Sequence, residues 1–317
     1  MVNLNASTIE TKGEPAPIVL FAFNRPKHLR ATLMSLKNNT LAHLSDLFIF
    51  IDGPKNNFSI DQTEKIEQVK KIAREEQWCK KVTIVESPVN KGLAKSVIDG
   101  VSEIVEKFGK VIVLEDDLVS SAYFLQFMND ALTLYENEDR VISATGYIYP
   151  VRQELPATYF LKGADCWGWA TWKRGWDLLE KDGKNLLTEI EKNKLENDFD
   201  FYGSYPYTQM LRDQIAGKNN SWAILWYASA YLKNKLTIYP GQSLIQNIGN
   251  DGSGTHSGVT NKWEVSLTEK PVSLGSIELK ENTKAKKIIA DYFREIMGTE
   301  KGSLIGKLKN KFRAILK

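Results

Sequence analysis

The sequence predicts an α/β fold: a Rossmann-like, mostly parallel central sheet flanked by helices, joined to a tryptophan-rich second half. Short continuous apolar runs alternate with longer helical stretches from Pro17 to Asp117, and each run stops at a polar or acidic residue. Apolar runs of this kind, separated by helices, belong to strands buried on both faces, as in parallel sheets. Six of the eight tryptophans (Trp167, Trp169, Trp172, Trp176, Trp222, Trp226) then crowd between positions 167 and 226 and mark the second half.

In order, PIVLFAF predicts the first strand, and a helix follows from Pro26, a residue suited to the first helical position. LFIFID is the second strand, with a charged helix from Asp61 to Trp78. KVTIVES, a helix from Ala94 to Phe108, and KVIVLEDD complete the sheet-forming half. Beyond Ser120 the pattern predicts a helix to Glu136 and a strand at VISATGYI.

At 317 residues with 42% hydrophobic composition, the chain can bury a large core, and global disorder is excluded. A net charge of +3 is too mild to point to nucleic acid. Cys79 and Cys166 have neither metal-ligand spacing nor a partner pattern, which fits a reducing cytoplasm. The first residues lack a basic and apolar leader, and no apolar run approaches the roughly 20 residues that span a bilayer. Residues 302–317 place Leu304, Ile305, Leu308, Phe312, Ile315 and Leu316 on one helical face with basic residues elsewhere, the pattern of an interfacial membrane helix. The expected organisation is an N-terminal extension over 1–16, a catalytic domain over 17–270 and a C-terminal extension over 271–317. Within the domain, 17–120 is expected to be a nucleotide-binding half and 121–270 a tryptophan-rich half that takes the sugar side.

Ligands of open α/β sheets sit beyond the carboxyl ends of the strands, so the residues where the apolar runs stop are the candidates. VIVLEDDL ends in three consecutive carboxylates, Glu115, Asp116 and Asp117, whose mutual repulsion a bound divalent cation would relieve. If strand geometry persists, Glu115 and Asp117 face one way and Asp116 the other, so Asp117 is assigned to metal and Asp116 to a nucleotide ribose. Asn24 and Arg25 close the first strand, where the guanidinium fork suits a diphosphate. Asp52, in IDGP, could accept from a base or ribose, or simply form an Asp-Gly turn. Lys91 and Gly92, in NKGLAKS, open a helix and could approach phosphate or sugar. His256 sits in a glycine-rich segment suited to a late-closing ligand for metal or diphosphate. In CWGWATWKRGW, indole faces suit pyranose rings; Trp167 and Trp169, with Trp222, are the acceptor candidates, although at least two of the four tryptophans in this stretch should be core.

FNRP, IDGP, NKGLA, VLEDDL, CWGWATW, SWAILW and NDGSGTH together resemble the bacterial sugar transferases of the nucleotide-diphospho-sugar transferase fold, related to N-acetylglucosaminyltransferase I. The resemblance spans roughly residues 17 to 258 and implies a GT-A fold. In that fold EDD replaces the usual DxD and holds Mn²⁺, or Mg²⁺, against a donor diphosphate. It places Asp117 on metal, Asp116 on the ribose side, Arg25 and Asp52 on nucleotide, and His256 in the closing loop. The family's catalytic acid has no counterpart in NNSWAILW; Asp213 is the first substitute and Asp165 the second. The expected activity is transfer of a sugar, with UDP the expected donor nucleotide and inversion the expected outcome, to a glycan or lipid-linked acceptor. Surface polysaccharide assembly, such as that of O-antigen, at the inner face of the cytoplasmic membrane would be the setting. The rivals are a sugar-1-phosphate nucleotidyltransferase, whose glycine-rich phosphate loop FAFNRP lacks, and a non-catalytic carbohydrate-binding or membrane-active protein.

Overall fold

A computed structural model describes residues 13–55, 58–254 and 258–298. His256 and the amphipathic segment 302–317 lie outside the described residues.

The first half alternates as the sequence predicts. Strand β1 (Ile18–Ala22) is buried at all five positions, because it lies inside the sheet between β2 (Asp46–Ile51) and β4 (Lys110–Glu115), with helices on both faces. Strand β2 alternates instead: Leu47, Ile49 and Ile51 enter the core shared with α1 (Pro26–Lys37) and α2 (Ile60–Glu75), while Phe48 and Phe50 pack on the opposite core. Helix α2 is opened by a capping box in which Ser59 and Gln62 exchange hydrogen bonds. Helix α3 (Leu93–Phe108) buries Ala94, Val97, Val101, Ile104 and Val105, the three-and-four spacing of one helical face, and covers the other side of the sheet. It stops at Gly109, whose φ of 75° caps the helix in a conformation glycine adopts without a Cβ penalty.

The order of the eight-stranded sheet is β3-β2-β1-β4-β8-β6-β9-β7. Strands β3 (Lys81–Glu86), β2, β1 and β4 run parallel. Strand β8 (Trp169–Trp172) runs antiparallel between β4 and β6 (Val141–Thr145), β9 (Leu236–Pro240) is parallel to β6, and β7 (Thr158–Lys162) closes the far edge antiparallel. A small second sheet pairs β5 (Leu118–Ser120) with β10 (Ile245–Asn247). Helix α4 (Phe124–Leu134) packs on β6 and β8.

The fold continues past 270. Residues 283–298 are helical and bury Ala285, Ile289, Ala290 and Phe293 in a core shared with α7 (Glu196–Phe199) and α9 (Trp222–Leu232). Lys286, 1% exposed, donates to Asp198 at 2.8 Å and Glu281 at 3.3 Å, and so ties this helix to α7. A buried ammonium held this way needs both carboxylates to offset its lost hydration.

Candidate active site at the strand ends

Because β4, β1 and β2 are consecutive in the sheet, their carboxyl ends lie side by side at the roughly 4.8 Å spacing of paired strands. That adjacency brings Glu115–Asp117, Asn24–Arg25 and Asp52 to one edge.

Strand geometry ends at Glu115, and Asp116 and Asp117 form a turn into β5. The predicted alternation of the three acids therefore does not hold: Asp116 and Asp117 both meet Arg25. One arm of the guanidinium pairs with Asp116 Oδ1 and the other with Asp117 Oδ2, the latter at 2.8 Å. The Thr32 hydroxyl donates to the Asp116 carbonyl at 2.8 Å and fixes the turn to α1. Burial works against the Arg25 charge, but the two carboxylates outweigh it and hold its pKa above the ordinary value. Burial pushes the Glu115 and Asp116 carboxyls up; neighbouring acids add to this and Arg25 opposes it.

Asp117 is 7% exposed, and its Oδ1 is buried without a hydrogen-bond partner among the described residues. The turn after β10 lies directly on this carboxylate: the Ile248 N–H donates to the Asp117 carbonyl at 2.9 Å, and a Cβ on Gly249 would come within 2.0 Å of Asp117 Oδ2. Only glycine fits there. Asp251, on the same turn, pairs with His28 of α1 at 3.2 Å. A surface cavity of about 500 Å³ runs along α2, and another of about 700 Å³ lies beside the small sheet, lined in part by Ile248 of this turn.

Among the described residues no group of three or more His, Cys, Asp or Glu side chains is placed to hold a metal ion. The donor set nevertheless fits a cation shared with a ligand, since Mg²⁺-type ions are commonly held by one or two carboxylates plus substrate phosphates. The orphaned Oδ1 of Asp117 is the atom such an ion would satisfy.

Asp52 takes a different part from the expected ligand contact. Its Oδ1 accepts from the N–H of Gly53 at 3.0 Å and of Lys91 at 2.8 Å; its Oδ2 accepts from Asn90 Nδ2 and the Gly92 N–H, each at 2.9 Å. Four donors fill the carboxylate's acceptor sites. Asp52 thus organises the glycine turn that opens α3, and Lys91 is left exposed beside it. Asn220, just before α9, lies 3.9 Å from where a Gly92 Cβ would stand. Asn24 is half-buried at the end of β1.

The tryptophan expectation is corrected. Trp169 (0% exposed) packs at a tilt against Trp176, Trp222 and Trp226, and Trp222 (3%) meets Trp176 edge-on, in the core under α3 and α9, where no sugar reaches their faces. Apolar burial at the sheet face has claimed them. Trp167 is half-buried, 4.6 Å from Tyr147 and 6.3 Å from the likewise half-buried Trp263 between ring centroids, and of the three acceptor candidates it is the accessible one.

The two candidate bases part company. Asp213, on α8 (Tyr207–Ile215), accepts from Gln209 at 3.0 Å and Lys218 at 3.3 Å, while α8 packs on α6 (Gly183–Lys192), α7 and α9. Asp165 lies in the loop leading to β8, which pairs antiparallel with β4 in the register Val113 to Trp169, so this loop sits at the same edge as Glu115–Asp117. The charges of Asp165, Glu115 and Asp117 all act on the intervening Cys166, whose thiol burial pushes far up. Asp165 Oδ1 accepts from the N–H of Cys166 (2.7 Å) and Trp167 (3.2 Å), and among the described residues Oδ2 has only a long 3.4 Å contact from the Tyr239 hydroxyl. Burial raises its pKa, against the two N–H donors that lower it. The Tyr239 hydroxyl contacts it, and its charge reaches the phenols of Tyr147, Tyr149 and Tyr207, adding to the burial that pushes their pKa values up. The sequence marks this tyrosine cluster only by the tyrosine density of YIYP, FYGSYPY and LTIYP.

No protein-family model matches the chain, and no curated protein matches it. Among solved structures it is similar to a UDP-glucose pyrophosphorylase complexed with UDP-glucose, at a TM-score of 0.36 and 10% identity, covering 71% of this chain and 90% of the other. It is also similar to a mannose-1-phosphate geranyltransferase from Thermus thermophilus, at a TM-score of 0.37 and 12% identity, covering 74% of this chain and 77% of the other. Likenesses of this size leave the chemistry of the present chain to be read from its own residues.

Proposed function

We propose that the chain is a metal-dependent glycosyltransferase that moves a sugar from a nucleoside-diphosphate donor, preferentially UDP-linked, to a hydroxyl of a glycan or lipid-linked glycan. The observation that carries this reading is the buried Oδ1 of Asp117, without a hydrogen-bond partner among the described residues, beside Arg25 at the end of β4. When bound, Mn²⁺ or Mg²⁺ would neutralise the departing diphosphate. Asp117 is the residue to hold it, with His256 a second ligand assigned by resemblance alone. Arg25 offers a bidentate fork to the diphosphate, and Asp116 and Glu115 line the ribose and sugar side. The turn organised by Asp52 presents Gly92 and the exposed Lys91 at the opening of α3.

Asp165 is preferred to Asp213 as the base. It stands at the acid-bearing edge, whereas Asp213 lies on α8, its Oδ1 accepting from Gln209 of the same helix and from Lys218. In the proposed step the Asp165 carboxylate takes the acceptor hydroxyl proton as that oxygen bonds to the anomeric carbon. The bond from that carbon to the diphosphate breaks, with inversion. Trp167 and the half-buried Tyr149 and Tyr207 offer the acceptor a platform.

Among the described residues no helix is long and apolar enough to cross a membrane. The segment 302–317 is proposed to bring the protein to a membrane surface; its deletion should move the protein out of the membrane fraction, and unchanged partitioning would argue against the anchor.

The test is product analysis. With UDP-sugars, Mn²⁺ and a glycan acceptor, the reading requires UDP release and a new glycosidic bond. Pyrophosphate release from a nucleoside triphosphate and a sugar 1-phosphate, without glycoside formation, would replace it by the nucleotidyltransferase reading.

A further inference from the structure

We propose that Arg25 is a resident counter-ion of the Asp116–Asp117 pair, set so that a divalent cation binds Asp117 tightly only after a diphosphate has drawn the guanidinium away. The inference rests on the nucleoside-diphosphate reading above and adds an order of events to it.

Arg25 is the residue just before α1, its side chain 18% exposed, and it spans both carboxylates at once. Three acids follow one another at this edge, and Arg25 is the cation paired with two of them. A cation seated on Asp117 would share that carboxylate with a guanidinium 2.8 Å from its Oδ2, and like charges so close in a poorly solvated site oppose each other. The Gly249 turn leaves little room for both, since a Cβ at Gly249 would stand 3.0 Å from Arg25 Nη1 and 2.0 Å from Asp117 Oδ2.

A merely structural ion pair would engage both oxygens of a buried carboxylate, because an unpaired buried acceptor costs stability. Here Asp117 Oδ1 is left without a partner among the described residues while Arg25 holds Oδ2, the pattern of a group that exchanges partners. A diphosphate offers the guanidinium the same planar, bidentate match that the two carboxylates offer. Once Arg25 transfers to it, Asp117 regains a full charge with which it would hold the cation, whose positive charge would in turn favour the diphosphate. Cation and nucleotide then promote each other's binding, reciprocally.

Binding of Mn²⁺ at pH 8, followed by the loss of the free-ion magnetic resonance signal, tests this with and without UDP. Wild type should bind Mn²⁺ weakly alone and about 5- to 150-fold more tightly with UDP, the usual size of coupling between sites. Arg25→Gln should bind Mn²⁺ alone more tightly than wild type, about tenfold, and lose most of the enhancement by UDP. Arg25→Lys, which keeps the charge but cannot span both carboxylates, should fall between, and it carries the test if Arg25→Gln does not fold. Asp117→Asn should bind no Mn²⁺ in this range. Equal or weaker binding of Mn²⁺ alone to a folded Arg25→Gln overturns the proposal. A UDP enhancement retained in full by Arg25→Gln overturns it and leaves the donor reading standing. Tighter Mn²⁺ in Arg25→Gln, with no nucleoside diphosphate affecting any variant, keeps the counter-ion role and removes the donor reading.

Discussion

Arg25 reaches Asp117 at 2.8 Å through one carboxylate oxygen, and the other oxygen of Asp117 is buried with no hydrogen-bond partner among the described residues. The pair joins the end of β1 to the end of β4, two neighbours in the parallel half of the sheet. Around it the acids are crowded and poorly solvated, which makes the edge costly to fold and well suited to hold a cation.

Replacing Asp117 by Asn should therefore separate stability from function. The amide relieves repulsion among three adjacent acids, so the thermal midpoint should hold or rise, while metal-dependent turnover should drop by about 100-fold or more. Thermal melts and UDP release measured on the same preparation check both arms; a large fall in midpoint would assign Asp117 a structural task instead.

Asp165→Asn keeps an oxygen to accept from the N–H groups of Cys166 and Trp167, so the loop should stay in place. Transfer should fall by about 10²- to 10⁴-fold, with donor binding unchanged. Because burial raises the Asp165 pKa, the acid limb of the wild-type pH profile should lie above the ordinary aspartate range. The stability sign follows: a carboxyl raised in the fold stabilises while protonated, and that contribution is lost as pH rises through its folded pKa. Asp165→Asn should thus be at least as stable as wild type at pH 8. Asp213→Asn, by contrast, should change transfer little; a loss comparable to that of Asp165→Asn would return Asp213 to the role of base.

Asp52→Ala removes the acceptor of four donors and should cost about 2 kcal/mol or more, loosening the turn that opens α3. Denaturant unfolding gives the cost. If Asp52 acted chiefly on ligand, the substitution would leave stability unchanged and weaken only nucleotide binding.

The tryptophans should divide cleanly. Trp169→Ala opens a cavity in the core and should destabilise by about 3–5 kcal/mol. Trp167→Ala should cost much less and raise KM for the acceptor. The reverse pattern would restore Trp169 to the acceptor surface.

The parallel half of the fold was legible because its signals are local. Continuous apolar runs such as Ile18–Ala22, the three-and-four spacing of α3 and the acids at the end of β4 each announce an element or its edge. Residues joined by tertiary geometry were harder to read. That Asp116 and Asp117 share Arg25 depends on a turn replacing the last strand residues, and that Asp52 is saturated depends on a loop 38 residues away. Trp169 and Trp222 look like Trp167 in sequence, since tryptophan serves core and ligand platform alike; only burial tells them apart. The helix over 283–298 lies beyond the resembling motifs, yet it buries Phe293 completely.

The most direct test of the central claim is calorimetric titration of nucleoside diphosphates and nucleotide sugars, with and without Mn²⁺, into wild type and Asp117→Ala. The account predicts binding of one nucleotide series that strengthens with Mn²⁺ in wild type and loses that strengthening in the variant. Mn²⁺-independent binding, unchanged in Asp117→Ala, would contradict it.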